Sequence, residues 1–165
     1  MEFPQRTDRL LLRPFEAGDA EVMHAIYSDS RVMRWVGTGP VADRSETAAM
    51  LREYAEHQQA HGYSFWAVVE RDTGALIGDA GLYTGGHGVE IGYTLAADRW
   101  GRGYATEIAR KCVELGSQEF GLRELIATVR PEHPASAAVL TKVGFEPGAE
   151  ITAYGTPHLL YRWCR

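Results

Sequence analysis

The chain has 165 residues, 45% of them hydrophobic and 24% charged, which supports one folded domain with a substantial core and excludes a disordered chain or two ordinary domains. A formal net charge of −5 and a pI near 5.7 recommend neither nucleic acid nor an anionic membrane as partner, while leaving room for a local basic site. The start Met1-Glu2-Phe3-Pro4-Gln5-Arg6 lacks the apolar stretch of a signal peptide, no apolar run is long enough to span a bilayer, and Cys112 and Cys164 form neither a metal-ligand spacing nor a disulfide framework. The expectation is a cytoplasmic unit covering residues 1–165, with Cys112 in the core and Cys164 incidental.

Arg9-Leu10-Leu11-Leu12-Arg13-Pro14 reads as a first strand stopped by proline. Ala17 to Tyr27 predicts a helix, with Asp19 favouring its N-terminus and Val22, Ala25 and Ile26 on one face. Asp43-Arg44-Ser45-Glu46 has capping-box spacing, and a second helix is expected from Ser45 to His61, stopped by Gly62. The period then changes to two: Ser64 to Glu70, the turn Arg71-Asp72-Thr73-Gly74, Leu76 to Tyr83, the turn Thr84 to Gly88, and Val89 to Leu95 form an antiparallel meander. A Gly-rich turn leads to a helix from Gly103 to Glu119, with Ile108, Cys112, Val113 and Leu115 as its apolar face. The almost wholly apolar strand Glu124 to Val129 suits burial on both faces. A last helix, Pro134 to Val143, and the strands Phe145 to Thr152 and Thr156 to Cys164 close the chain. The fold class is α/β, a mixed sheet with helices on both sides, in which ligands sit where neighbouring strands part.

The chemistry is carried by one segment. A strand ends in Glu90-Ile91-Gly92-Tyr93-Thr94-Leu95, the chain passes through Ala96-Ala97-Asp98-Arg99 into the turn Trp100-Gly101-Arg102-Gly103, and a helix follows with Tyr104-Ala105-Thr106-Glu107. Free N–H groups, the positive end of a helix dipole and two glycines make an anion cradle suited to a pyrophosphate. The third glycine of a dinucleotide fingerprint and the Gly-Lys-Ser/Thr of a phosphate loop are both absent.

Trp100 to Ala105 resembles the acetyl-CoA pyrophosphate loop of GNAT N-acetyltransferases, of general pattern Gln/Arg-x-x-Gly-x-Gly/Ala, with Gly103 and Ala105 at the small positions and Trp100 at the first. The form Trp-Gly-x-Gly-Tyr-Ala-Thr-Glu is similar to that of the ribosomal-protein N-terminal acetyltransferase branch. So, in the same order, are Thr7 to Arg13, Thr73 to Gly78, and Ser136 through Leu140 to Lys142-Val143-Gly144-Phe145. The resemblance covers nearly the whole chain. It implies the GNAT fold: a mixed, mostly antiparallel sheet flanked by helices and split between the strands ending near Leu95 and Val129, with the pantetheine arm of acetyl-CoA in the split. Implied contacts to this co-substrate are Thr94, Leu95 and Ala96, whose backbone groups the parted strands are expected to leave unpaired. Gly101, Arg102, Gly103, Tyr104, Ala105 and Thr106 belong to the cradle, and His133 stands where relatives often carry asparagine. Arg99 and Arg102 border the loop as candidates for the phosphates.

An alkyl ammonium has no free lone pair, so a base within reach must take its proton before it attacks a thioester. Glu90 resembles in placement the glutamate that serves as base in several GNAT enzymes; its other reading is an outward polar residue on an alternating strand. His87, in the preceding turn, is the second candidate. Many family members place a tyrosine on the last helix to protonate the leaving thiolate. Leu140 occupies that position here, and Ser136, one turn earlier, is either the donor or a helix-surface hydroxyl bonded to backbone. Trp35, Tyr27 and Phe65 line an acceptor pocket or belong to the core. The expected function is direct acetyl transfer to a primary amine, either a protein N-terminal α-amine or a small-molecule amine. No nucleic acid or membrane partner is expected, and a homodimer through the edge of the last strands is compatible with the sequence. A non-catalytic acyl-CoA-binding module of the same fold is the alternative.

Overall fold

The computed structural model describes residues 1–165. Strands β1 (Gln5–Arg6), β2 (Leu10–Arg13), β3 (Phe65–Glu70), β4 (Leu76–Gly85), β5 (Gly88–Leu95), β6 (Glu124–Val129), β7 (Glu146–Ala153) and β8 (Thr156–Cys164) form one sheet in the order β1-β2-β3-β4-β5-β6-β8-β7. Every neighbouring pair is antiparallel except β5 and β6. The helices are α1 (Asp19–Tyr27), α2 (Ser30–Met33), α3 (Arg44–His61), α4 (Tyr104–Glu114) and α5 (Pro134–Lys142). None is long and apolar enough to cross a membrane.

Alternation along β4 assigns the helices to faces. Asp79 bonds Tyr27 of α1, whereas Ala80 and Leu82 pack with Ile108, Ala109 and Cys112 of α4. Consecutive strand residues point to opposite faces, so α1 and α4 lie on opposite sides of the sheet. Met23, Ile26 and Tyr27 of α1 join Val32, Met33 and Leu51 in a smaller core, while α4 and α5 contribute to the larger one with Leu140 and Phe145. Covered on both sides, Ile77 to Leu82 of β4 are all buried, so the period of two expected for Leu76 to Tyr83 does not appear as alternating burial.

Local chemistry explains most boundaries. The carboxylate of Asp19 accepts the Arg13 guanidinium at 2.6 and 3.0 Å and the Glu16 N–H at 2.7 Å, which pins the start of α1 to the end of β2. Burial alone would raise the Asp19 carboxyl, but Arg13 and the Glu16 N–H outweigh it and hold the group below its ordinary value. The predicted capping box does not form: Asp43 precedes α3 without a side-chain bond, and the helix ends at Gly62, in the left-handed region at φ +83°. The helix expected to run to Glu119 is α-helical only to Glu114. Residues Leu115–Glu119 widen into a π turn, with the Phe120 N–H donating to the Leu115 carbonyl at 3.1 Å. Gly116 in that turn lies so near Leu125 that a Cβ would stand 3.1 Å from its side chain. Neither β1 nor α2 was expected, since two and four residues are too short for a periodic signal.

Cys112 is fully buried in the core, and burial pushes its thiol up to about 12, whereas Cys164 is exposed. Native protein is therefore expected to react with a thiol reagent at Cys164 alone, with both cysteines reacting after denaturation. Rapid native labelling of Cys112 would contradict its place in the core.

Candidate active site

The opening in the sheet lies between β5 and β6. They share one register pair, Glu90 with Ile126, and part beyond it. The Ala96 N–H donates to the Ile77 carbonyl at 2.9 Å, so by alternation Thr94 and Ala96 direct their backbone groups at β4, while Tyr93 and Leu95 direct theirs at the opening. The Leu95 carbonyl is already taken by the Trp100 indole N–H at 2.9 Å. This corrects the expectation that Thr94, Leu95 and Ala96 all present unpaired groups. β4 runs beside the whole of β5 and satisfies alternate residues, leaving the groups of Tyr93 and the Leu95 N–H for an added strand.

At the vertex of the opening, Glu90 Oε1 accepts the Thr128 N–H at 3.0 Å and the Thr128 hydroxyl. That N–H is one that parting strands would orphan, so the carboxylate closes the vertex and is itself held in one orientation. Oε2 makes no hydrogen bond. Glu90 is half-buried and lines a cavity of about 320 Å3 that follows the opening. Trp35, Tyr54, Phe65 and Tyr83 line the same cavity from the side of α1–α3, with Tyr93, His133, Ser136 and Leu140 opposite. Tyr27 also reaches it yet is 1% exposed, so for this residue the core and pocket readings both hold. His87 is exposed in the turn between β4 and β5, away from this cavity.

Leu140, in the expected tyrosine position, is buried in the cavity wall. A tyrosine reaches the place from elsewhere: the Tyr93 hydroxyl lies 3.1 Å from Ser136 Oγ and 3.3 Å from the Ser136 carbonyl. Burial pushes the Tyr93 phenol up to about 12, so it stays protonated. The Ser136 hydroxyl thus meets a side chain, not its own helix backbone. His133 stands at the N-cap position of α5 without a side-chain capping bond, and its ring stacks on Trp35 with centroids 5.2 Å apart, joining the two walls. Burial, assisted by Arg34, holds the His133 imidazole below its ordinary value.

The cradle is built as its glycines require. Gly101 and Gly103 sit at φ +72° and +80°, in the left-handed region, and no side chain caps α4. The first helical bond runs from the Glu107 N–H to the Gly103 carbonyl at 3.1 Å, leaving earlier N–H groups of Tyr104, Ala105 and Thr106 without intrahelical acceptors. The Tyr104 hydroxyl is already engaged within the protein. It donates to the buried Glu70 at 2.7 Å, and Arg99 and Arg102 lie 3.8 and 3.9 Å from the same carboxylate. Hydroxyls of Thr73 and Tyr104 hold the Glu70 carboxyl below its ordinary value. The loop is also braced from the N-terminus: Arg9 donates to the Arg102 carbonyl at 2.8 Å and to Glu107 at 2.7 Å, and the Thr7 hydroxyl donates to Glu107 at 2.5 Å.

Sequence reasoning missed three participants: Tyr93, Arg9 and Asp79. Asp79 is buried on β4 in the cavity wall, and its Oδ2 accepts the Tyr27 hydroxyl at 2.6 Å. The available signal was an acid set between small residues, Gly78-Asp79-Ala80-Gly81, inside an apolar strand.

The sheet, open between β5 and β6 and followed by a glycine turn into α4, has the architecture of known acetyltransferases. The family described as the Acetyltransferase (GNAT) domain matches residues 9–146. The chain belongs to this family and is an N-acetyltransferase. It is 31% identical to the uncharacterised N-acetyltransferase YoaA of Bacillus subtilis (strain 168), over 92% of this chain and 90% of that one. Among solved structures, an acetyltransferase from Agrobacterium tumefaciens str. C58 superposes with a TM-score of 0.87 at 25% identity, covering 100% of this chain and 96% of that one. AAC(6')-Ib in complex with ribostamycin and coenzyme A shares the fold with a TM-score of 0.77 at 19% identity, over 96% and 94% of the two chains. The GNAT resemblance and the split α/β fold are borne out.

Proposed function

We propose that this acetyltransferase moves the acetyl group of acetyl-CoA directly to a primary amine held in the cavity, in a ternary complex and without a covalent enzyme intermediate. The observation that carries the reading is the Glu90 carboxylate fixed at the vertex of the same opening whose other end carries the glycine cradle. Amides of Ala105 and Thr106 and the guanidinium groups of Arg99 and Arg102 attract the pyrophosphate. The Leu95 N–H and the groups of Tyr93 pair with the amide-rich arm as an added strand would. Thr94, Ala96 and His133 contribute side-chain or van der Waals contact.

Glu90 Oε2 takes the proton from the acceptor ammonium, directly or through a water, while Thr128 keeps the carboxylate oriented. The amine nitrogen then forms its bond to the acetyl carbon, a backbone N–H of the opening stabilises the oxyanion, and the carbon–sulfur bond breaks. The acetylated nitrogen loses its second proton to water, and Ser136 passes a proton to the departing sulfur and regains one from water, while Tyr93 stays protonated and orients the Ser136 hydroxyl. The acceptor is a small-molecule amine or a protein N-terminal α-amine, the latter suggested by the motifs shared with the ribosomal-protein branch. A screen of amines with acetyl-CoA, read by mass spectrometry of acetylated products, tests the reading; failure to acetylate any of them would overturn it.

A thiolate leaves without much help, so the acid contributes less than the base. Ser136→Ala and Tyr93→Phe are each expected to lower kcat by up to about tenfold with little change in the Kd for acetyl-CoA. A wild-type kcat in both variants would remove the pair from the mechanism.

A further inference from the structure

The cavity contains a second carboxylate that the proposed transfer does not use. Asp79 is 4% exposed; its Oδ2 is tethered to Tyr27, and its Oδ1 is buried without any hydrogen-bond partner. An unpaired carboxylate oxygen shut away from water is costly unless something cationic reaches it. Thr94, opposite Asp79 in the ladder, is near enough for its hydroxyl and N–H to favour the ionised carboxyl, yet forms no hydrogen bond of ordinary geometry with Oδ1. Burial pushes the carboxyl up to about 6, with Tyr27 and Thr94 opposing the rise, so at neutral pH it is mostly ionised.

Register separates the two acids. Asp79 stands opposite Thr94 and Tyr83 opposite Glu90, so the acids lie four residues apart along β5, about 13 Å at strand rise. One nitrogen cannot touch both. The surface between them is aromatic: Phe65 covers Gly92, where a Cβ would come within 2.8 Å of its ring, and Tyr54 and Tyr83 flank Phe65 with centroids 5.2 and 5.6 Å away. Such a strip suits methylenes and the faces that attract an ammonium. Arg130 is the cationic side chain on the opposite wall, so with both acids ionised the cavity is net negative.

Resting on the acetyltransferase reading above, we propose that Asp79 seats a second, non-reacting ammonium of the acceptor, so that the preferred substrates are flexible amines with two basic nitrogens separated by several methylenes, one held at Asp79 while the other reacts at Glu90. The rival is that Asp79 only ties α1 to the sheet through Tyr27.

The test compares kcat/KM, with acetyl-CoA, for a series of α,ω-diaminoalkanes and the monoaminoalkanes of matching length. Wild type is expected to prefer the best diamine by about tenfold or more, mainly through KM, as a charge-assisted hydrogen bond to a desolvated partner allows. Asp79→Asn, which can still accept from Tyr27, is expected to bring the diamine-to-monoamine ratio close to one. Tyr27→Phe, which cuts the tether and keeps the carboxylate, is expected to retain the preference. A wild-type ratio near one overturns the proposal with no variant needed, as does a preference that survives Asp79→Asn or vanishes equally in Tyr27→Phe. Acetylation of none of the amines would instead fail the underlying reading, and the Asp79 seat with it.

Discussion

Glu90→Gln is expected to lower kcat/KM for an alkyl amine by about 10²- to 10⁴-fold, the usual worth of general-base assistance. The structure makes this a clean substitution. Glutamine keeps an oxygen that can accept the Thr128 N–H and hydroxyl, so the vertex between β5 and β6 stays closed while the second oxygen, the proton acceptor, becomes an amide. The Kd for acetyl-CoA is expected to stay nearly constant, because the cradle lies at the other end of β5. Raising the pH is expected to restore part of the rate, since more of the amine then arrives deprotonated. Glu90→Ala, which also orphans the Thr128 N–H, should lose both rate and thermal stability, and the contrast separates catalysis from closure. Full activity of Glu90→Gln at neutral pH, with an amine of high pKa, would show that Glu90 is only the closure. An ordered water would then be the better base, since His87 lies away from the cavity.

What the sequence makes legible is local. Gly101, Gly103 and the start of α4 fall within a few residues, so the cradle could be read from turn and helix chemistry alone. The three-stranded meander and β6 were likewise readable from short apolar runs between turn residues. Contacts between distant parts of the chain were not. Glu90 depends on Thr128, Ser136 on Tyr93, and the cradle on Thr7 and Arg9 nearly a hundred residues earlier. No periodicity encodes such pairs. Asp79 escaped because β4 is covered on both faces: a strand with no solvent side shows no alternation against which a buried acid would stand out. The backbone of Thr94 and Ala96 was misjudged for a related reason, since a split sheet opens only one edge of each strand and parity decides which residues face the gap.

Gly103→Val is expected to weaken acetyl-CoA binding by about tenfold to a hundredfold, and the geometry indicates by which route. A Cβ at this position would meet only the end of the Arg9 side chain, at an ordinary 3.5 Å, so crowding within the free protein is not the obstacle. The obstacle is the backbone, because φ +80° lies where a β-branched residue is a genuine outlier, at a cost on the order of 1–3 kcal/mol. The loop relieves that strain by rotating, which turns the N–H groups at the start of α4 away from the pyrophosphate and pulls on the Arg9–Arg102 bond that braces the turn. Gly103→Ala, strained without the β-branch, should fall between wild type and valine. Calorimetric titration with acetyl-CoA, alongside circular dichroism to confirm the fold, gives the result. A valine variant that folds and binds with wild-type Kd would mean that this loop is not the phosphate cradle, whereas a lower Tm with unchanged Kd would make Gly103 a turn residue and nothing more.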